Sequence, residues 1–214
     1  MERKSLLKSF DAMNKIILDL CGGTGAWSKP YKDAGYDVRV ITLPDNDILT
    51  FEPPDNVYGI LAAPPCTEFS IAKDHKLKRD LISGMKLVNA CFRIIEKSNP
   101  KFWVIENPTG YLSKFIGSPQ YTFQPWWFGD PWTKKTALWG TFYYPRQSFY
   151  RWEDVPKIPE LYIRPGRTKP SIAFLHKSAL GLIPQLKGFT AETDAGFRAI
   201  TPPGFANAFF KANQ

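Results

Sequence analysis

One segment constrains the fold of this chain more than any other. Ile16 to Leu20 is a short β-branched apolar run, and it ends in Cys21-Gly22-Gly23-Thr24-Gly25. Such a run reads as a buried strand followed by a glycine-rich turn. Glycines in that position let backbone N–H groups approach a ligand at the carboxyl end of the strand. The spacing is not the full dinucleotide fingerprint, because Ser28 stands three positions after Gly25. Nor does a Gly-Lys-Ser/Thr follow, so the turn is not a phosphate-binding P-loop.

What comes after the turn alternates. Residues from about Ser28 to Ala34 suit a helix that stops at Gly35. Val38 to Leu43 and Tyr58 to Ala63 read as strands, the latter halted by Pro64-Pro65. From Arg79 to Ser98 the apolar positions Leu81, Ile82, Met85, Val88, Phe92 and Ile95 recur at helical spacing. Phe102 to Ile105 is a further strand. Strands alternating with helices indicate an α/β fold with a doubly wound, mostly parallel sheet. Past residue 107 the chain is richer in Pro, Gly and aromatics. Ala137 to Tyr144 suits a strand, Pro145 to Pro170 loops and short segments, and Phe205 to Lys211 a short terminal helix.

At 214 residues with 43% apolar and 22% charged side chains, the chain has the composition of one globular domain rather than a disordered segment. No apolar run approaches the length that spans a bilayer. Met1-Glu2-Arg3-Lys4 leads into no signal-peptide apolar region, so a cytoplasmic protein is expected. The three cysteines, Cys21, Cys66 and Cys91, and two histidines are too few and too scattered for a disulfide framework or a metal site. A net charge of +8 favours a polyanionic partner.

Two strand ends carry the chemistry. Cys66 follows the strand that Pro64-Pro65 terminates, at the carboxyl edge where sites form in this architecture. A thiol is a capable nucleophile even when mostly protonated. Glu106-Asn107-Pro108 follows the next strand, 40 residues later. A right-handed crossover brings the two strand ends to one edge of the sheet, so Cys66 and Glu106 can share a site. Between them, Lys73-Asp74-His75-Lys76-Leu77-Lys78-Arg79 reads as a basic flap that meets phosphates.

In this order the motifs resemble the cytosine-5 DNA methyltransferase family. Asp19-Leu20-Cys21-Gly22-Gly23-Thr24-Gly25 resembles the family's first motif, which binds S-adenosylmethionine. Pro64-Pro65-Cys66-Thr67-Glu68-Phe69-Ser70 resembles its nucleophile motif, and Glu106-Asn107-Pro108 its Glu-Asn-Val motif. Pro203-Gly204-Phe205-Ala206-Asn207-Ala208 is more loosely similar to the terminal motif that closes the cofactor pocket. The resemblance implies a Rossmann-like, class I S-adenosylmethionine-dependent methyltransferase core acting on DNA. Cys66 is then the nucleophile and Glu106 the ring-activating acid, with Lys134 and Thr136 facing the substrate. Asp19, Cys21, Gly23, Thr24, Gly25, Asp45, Asp47, Ile48, Pro64 and Asn207 are the implied cofactor contacts. Ser70, Lys73, Lys76, Lys78 and Arg79 are the implied nucleic-acid contacts.

The chain departs from the family pattern in four places. Cys21 stands where the family usually has Phe. The acid expected at the end of strand two is displaced to Asp45, while Asp47-Ile48 does resemble the family's adenine-contacting acid. The Gln-x-Arg-x-Arg segment is here Trp132-Thr133-Lys134-Lys135-Thr136, so Lys134 replaces one arginine and Thr136 the other. Only about fifty residues separate that segment from the terminal motif. Residues 1–214 are thus expected to be a single domain in which 141–195 form a reduced target-recognition segment, with Arg164, Arg167 and Lys169 available for phosphates. Short specificity, or specificity supplied by a partner protein, follows. The same Cys and Glu would serve an RNA cytosine-5 methyltransferase, and the same fold a catalytically silent nucleic-acid-binding module. Amino-group methyltransferases carry Asp/Asn-Pro-Pro-aromatic, whereas here Ala63 precedes Pro64-Pro65 and Cys66 follows.

Overall fold

The computed structural model of the chain describes residues 15–71, 73 and 76–214. β1 (Ile16–Leu20), β2 (Asp37–Ile41), β3 (Val57–Ala62) and β4 (Phe102–Pro108) run parallel. With β5 (Tyr121–Phe123) and β6 (Thr136–Thr141) they form a sheet of order β2-β1-β3-β4-β6-β5, in which β6 is antiparallel to both neighbours. The helices are α1 (Lys29–Asp33), α2 (Leu81–Ser98), α3 (Ser113–Ile116), α4 (Asp194–Ala199) and α5 (Pro203–Ala212).

Strand residues alternate between two faces, and both are covered. Leu18, Leu20, Ile60, Ala62 and Ile105 pack against Val88, Cys91, Ile94 and Ile95 of α2. Ile17, Leu61, Phe102 and Val104 pack on the other face against Tyr31 of α1 and Phe205 and Phe209 of α5. This is the doubly wound arrangement expected from the alternation of strands and helices. A third cluster joins Trp132 and Ala26 to Leu161, Ile172, Leu175, Ile183 and Phe197, and so anchors the chain between β6 and α4.

The helix of the Arg79 to Ser98 periodicity starts at Leu81, because Asp80 caps it by accepting the Ser83 N–H at 3.0 Å. Asn99, in the left-handed conformation with φ 43°, ends it. β4 runs further than the apolar pattern predicts. Glu106, Asn107 and Pro108 pair with Leu138, Ala137 and Thr136 of β6, so Glu106 lies within a strand rather than after it. The connection from β2 to β3 contains no helix. Instead Arg93 of α2 fastens it, donating to the carbonyls of Ile48 at 3.1 Å and Phe51 at 2.8 Å and to Glu52 at 3.1 Å. No helix among the described residues is long and apolar enough to cross a membrane.

Asp130 secures α5 and is only 1% exposed. Its carboxylate accepts the N–H groups of Gly204 at 3.2 Å and Phe205 at 3.3 Å, in the first turn of the helix. Burial pushes its carboxyl up to about 7, against the pull of those two N–H groups. Burial likewise pushes Asp19 up to about 6. A carboxyl whose folded pKa lies above its unfolded value stabilises the fold at acid pH and loses that contribution as pH rises through the folded value. Thermal stability is therefore expected to fall as pH rises from about 4, up to about 6 for Asp19 and about 7 for Asp130, by roughly 3–5 °C in Tm per pH unit for each group over its own window. Asp130→Asn should flatten that slope, as melting curves across the range would show.

Candidate active site

β1 and β3 lie side by side, and the strand order reverses between them. Their carboxyl ends stay in register, because the Ala63 N–H still donates to Leu20 O at 2.9 Å. The glycine-rich turn and the Cys66 loop therefore leave the sheet at one edge, at a topological switch point where α/β sheets bind ligands. Pro64 is buried, and its carbonyl accepts Asn107 Nδ2 at 2.9 Å. The Cys66 carbonyl accepts the N–H groups of Phe69 at 3.0 Å and Ser70 at 2.8 Å, closing a turn that leaves the thiol partly exposed. Phe69, fully buried, anchors the far side of the turn.

A second tie runs from this loop to the segment after β4. The Tyr111 N–H donates to Phe69 O at 2.8 Å, and Ser70 bridges Gly110. A Cβ at Gly110 would stand 2.3 Å from Phe69 O, so only glycine permits this approach. Gly110→Ala is expected to cost about 1–3 kcal/mol in a urea melt, and to expose Cys66 to faster alkylation.

Glu106 and Lys134 face each other across the β4–β6 pair. Glu106 Oε1 lies 3.8 Å from Lys134 Nζ, and both side chains are 15% exposed. The same ammonium donates to Arg198 O at 3.2 Å, in the last turn of α4. Burial holds the Glu106 carboxyl above the usual carboxylate range, and Lys134 pulls it back. Burial also pushes the Cys66 thiol up, Glu106 adds to that, and Lys134 opposes it. The three groups form one electrostatic cluster: a thiol, a carboxyl that favours its proton, and a cation that tempers both. Such a set can add sulfur to an electrophilic ring carbon while a proton is held at a neighbouring ring atom.

Thr136 corrects the expectation placed on it. It is 1% exposed, and its hydroxyl donates to Lys134 O at 2.9 Å, so it shapes the turn rather than presenting a polar group outward.

The glycine-rich turn is built as a cradle. Cys21, Gly23 and Gly25 have φ values of 57°, 53° and 69°. Asp19 lies wholly buried beneath, accepting Ser28 Oγ at 2.6 Å, and a Cβ at Gly22 would collide with its carboxylate. Asp19 thus supports the turn from below. Gly23 and Thr24 are exposed on its upper side. Interaction with the buried Cys91 of α2 draws the Cys21 thiol pKa down. A cleft of about 290 Å³ beside the turn is lined by Thr24, Gly25, Ser28, Val38 and Val40, among others. Asp45, Asp47, Ile48, Pro64 and Asn207 do not line it. Asp47 is exposed, but Ile48 is only 5% exposed and belongs to the α2-side core. Asn207, on the exposed side of α5, donates to Pro203 O at 2.9 Å.

Of the flap, Asp74 and His75 lie outside the described residues. Lys73 and Arg79 do more local work than the sequence suggests. Lys73 Nζ sits 2.6 Å from Glu68 Oε2, while Arg79 donates to Glu68 O at 2.8 Å and stacks over Tyr111 at 4.7 Å. Lys73 thus ties the flap to the Cys66 loop, and Arg79 ties that loop to the segment leading into α2. Lys76 and Lys78 are exposed.

Asn107, Asp130, Arg93 and Glu68 escaped the sequence reading, because each acts on backbone groups that no spacing reveals. Asn107 had a signal in its place beside Glu106, and Glu68 in its place two residues after Cys66.

Residues 27–118 match the family model described as C-5 cytosine-specific DNA methylase. The matched span holds Cys66 and Glu106, while the glycine-rich turn and Lys134 fall outside it. The type II methyltransferase M.DdeI of Desulfomicrobium norvegicum is 33% identical over 134 residues, covering 49% of this chain and 30% of that protein. The match thus spans under a third of that relative's length. A solved candidate DNA modification methyltransferase encoded within an E. coli prophage shares 16% identity, with a TM-score of 0.44 over 78% of this chain and 54% of its own. Over residues 27–118 the chain is thus similar to the C-5 cytosine-specific DNA methylase family.

Proposed function

We propose that this chain transfers a methyl group from S-adenosylmethionine to C5 of cytosine in DNA through a covalent adduct on Cys66. One observation carries the reading: within the family-matched span, Cys66 shares an electrostatic cluster with Glu106, and Lys134 stands 3.8 Å from that glutamate.

Cytosine C5 is a weak nucleophile. Addition of the Cys66 sulfur to C6 places electron density on the ring, which Glu106 accommodates by holding its proton at N3. C5 is then an enamine carbon and takes the methyl group. Loss of the C5 proton expels Cys66 and restores aromaticity. A solvent base takes the C5 proton, Cys66 leaves as the thiolate, and the N3 proton returns to Glu106, while the Lys134 charge opposes the effect of burial on both groups. Access to C6 requires the base out of its stack.

The glycine-rich turn fits the cofactor on three counts. Gly23 and Thr24 are exposed at the carboxyl end of β1. No atom lies within 4 Å of where a Cβ at Gly23 would stand. Asp19 Oδ1 is buried without a partner. When bound, S-adenosylmethionine supplies an electrophilic sulfonium methyl. Cys21, Gly23, Thr24 and Gly25 would hold it, with the exposed Asp45 and Asp47 toward its adenosine. In this reading residues 1–214 are one methyltransferase domain, 141–195 are its reduced recognition segment, and Ser70, Lys76 and Lys78 meet DNA beside the nucleophile.

The test is methyl transfer from labelled S-adenosylmethionine to DNA, with the product nucleoside identified by mass spectrometry. 5-Methylcytosine is expected. Label on N4, on RNA alone, or on no substrate by a folded protein overturns the reading.

A further inference from the structure

We infer that Cys21 and Cys91 are a redox pair: hydrogen peroxide joins them as a disulfide, and the joined form binds S-adenosylmethionine more weakly. The cofactor half of this rests on the methyltransferase reading above, whereas the disulfide does not.

The first observation is where the backbone puts Cys21. Side chains alternate along β1, so Leu18 and Leu20 meet the α2-side core while Ile17 meets the opposite one. Continued alternation would send residue 21 with Ile17, away from α2. Cys21 instead has a left-handed φ of 57°, uncommon for a residue with a Cβ. Its side chain packs on the α2-side core. Cys91 belongs to that same core and is wholly buried in α2. The fold thus brings together two free thiols that lie far apart in the sequence.

The second is the asymmetry of the pair. Cys21 is partly exposed at the turn, and Cys91 is not exposed at all. Each thiol is the strongest influence on the other's proton. Cys91 draws the Cys21 pKa down, against burial and the charges of Asp19 and Asp47, while Cys21 and burial raise that of Cys91. Cys21 is therefore the thiol that an oxidant reaches and that ionises first. Its thiolate attacks one oxygen of hydrogen peroxide, the O–O bond breaks, and a sulfenic acid and hydroxide form. The Cys91 sulfur then attacks the sulfenic sulfur and expels a second hydroxide. The two thiol protons turn both hydroxides into water, and the two electrons lost by the sulfurs reduce the peroxide.

The third is what the bond would move. Sulfurs in non-bonded contact must come closer to be joined. Cys91 has little room to travel, since it sits within α2 among the buried Val88, Ile94 and Ile95. The turn has more. Cys21 opens it, Gly23 and Thr24 are exposed, and Gly23 and Gly25 also have left-handed φ values, 53° and 69°. Oxidation therefore pulls on the segment that the cofactor reading sets against S-adenosylmethionine. By linkage, bound S-adenosylmethionine opposes the disulfide to the same degree.

The experiment treats the folded Cys66→Ala chain with hydrogen peroxide, so that Cys21 and Cys91 are the remaining thiols. Non-reducing peptide mass spectrometry should find a Cys21–Cys91 disulfide that dithiothreitol reverses. With the oxidant removed, calorimetric titration should show S-adenosylmethionine binding the oxidised form about tenfold or more weakly than the reduced form. In a thiol–disulfide redox buffer, saturating S-adenosylmethionine should shift the ratio toward the thiols by the same factor. Cys91→Ala in this background should bind S-adenosylmethionine as the reduced chain does, before and after peroxide. Cys91→Val is the second variant if the smaller side chain unfolds the protein. No disulfide between these residues in a folded chain overturns the inference. So does a disulfide that leaves the affinity unchanged, or a Cys91 variant that peroxide weakens equally. A disulfide in a chain whose reduced form binds no S-adenosylmethionine overturns the methyltransferase reading instead, leaving the redox pair in place.

Discussion

Cys66→Ala is expected to abolish methyl transfer, with a loss of at least about 10⁴-fold, the scale seen when a covalent nucleophile is removed. No other group in the cluster replaces the sulfur, since neither Glu106 nor Lys134 can add to C6 and leave again as readily. The variant should keep its fold. The side chain is partly exposed, and the loop is held by backbone bonds from Phe69, Ser70 and Tyr111 rather than by the thiol. Its melting temperature and DNA affinity are therefore expected to match the parent within error. A parallel loss of stability would mean that the loop, not the chemistry, had failed. Retained turnover would remove the covalent step altogether.

Glu106→Gln should reduce methyl transfer by about 10²- to 10⁴-fold, because the proton at N3 loses its donor. The same substitution has an opposite effect on the thiol. Burial and then Glu106 raise the Cys66 pKa, while Lys134 lowers it. Removing the carboxylate leaves burial opposed by the lysine, so Cys66 ionises at lower pH. The rate of Cys66 alkylation at pH 8 is expected to rise in Glu106→Gln, even as methyl transfer falls. Lys134→Met, by the same sign, should slow alkylation. Peptide mass spectrometry separates Cys66 from Cys21 and Cys91 in this measurement. A Glu106→Gln variant that loses both alkylation and turnover would mean the glutamate holds the loop rather than the proton.

How much of this was legible in the sequence follows from how each element is held. β1 and β3 declared themselves because both are buried on both faces, so Ile16–Leu20 and Val57–Ala62 read as near-continuous apolar runs. α2 declared itself through its long amphipathic periodicity. β5 is three residues and α4 six, too short for any period to emerge. The extension of β4 through Glu106 was hidden because β6, its partner, lies some thirty residues on and pairs through backbone groups. In the site, Cys66 and Glu106 could be placed together from the crossover rule alone. The burial of Thr136 could not, since the Lys134 carbonyl that takes its hydroxyl is set by the turn. Lys73 and Arg79 read as phosphate ligands because their charge is visible in the sequence. Their engagement with Glu68 and Tyr111 depends on how the loop folds back on α2.

The central claim is that the Cys66 sulfur bonds to C6 of a cytosine in DNA. Incubating the protein and S-adenosylmethionine with DNA carrying 5-fluorocytosine tests it most directly, because fluorine at C5 cannot leave as a proton does and the adduct persists. Both single-stranded and duplex forms belong in the assay. The account predicts a denaturation-resistant protein–DNA band with the parent chain, mapped to the Cys66 peptide and absent in Cys66→Ala. A band that survives in Cys66→Ala, or no band from a folded protein that methylates the unfluorinated DNA, would contradict it.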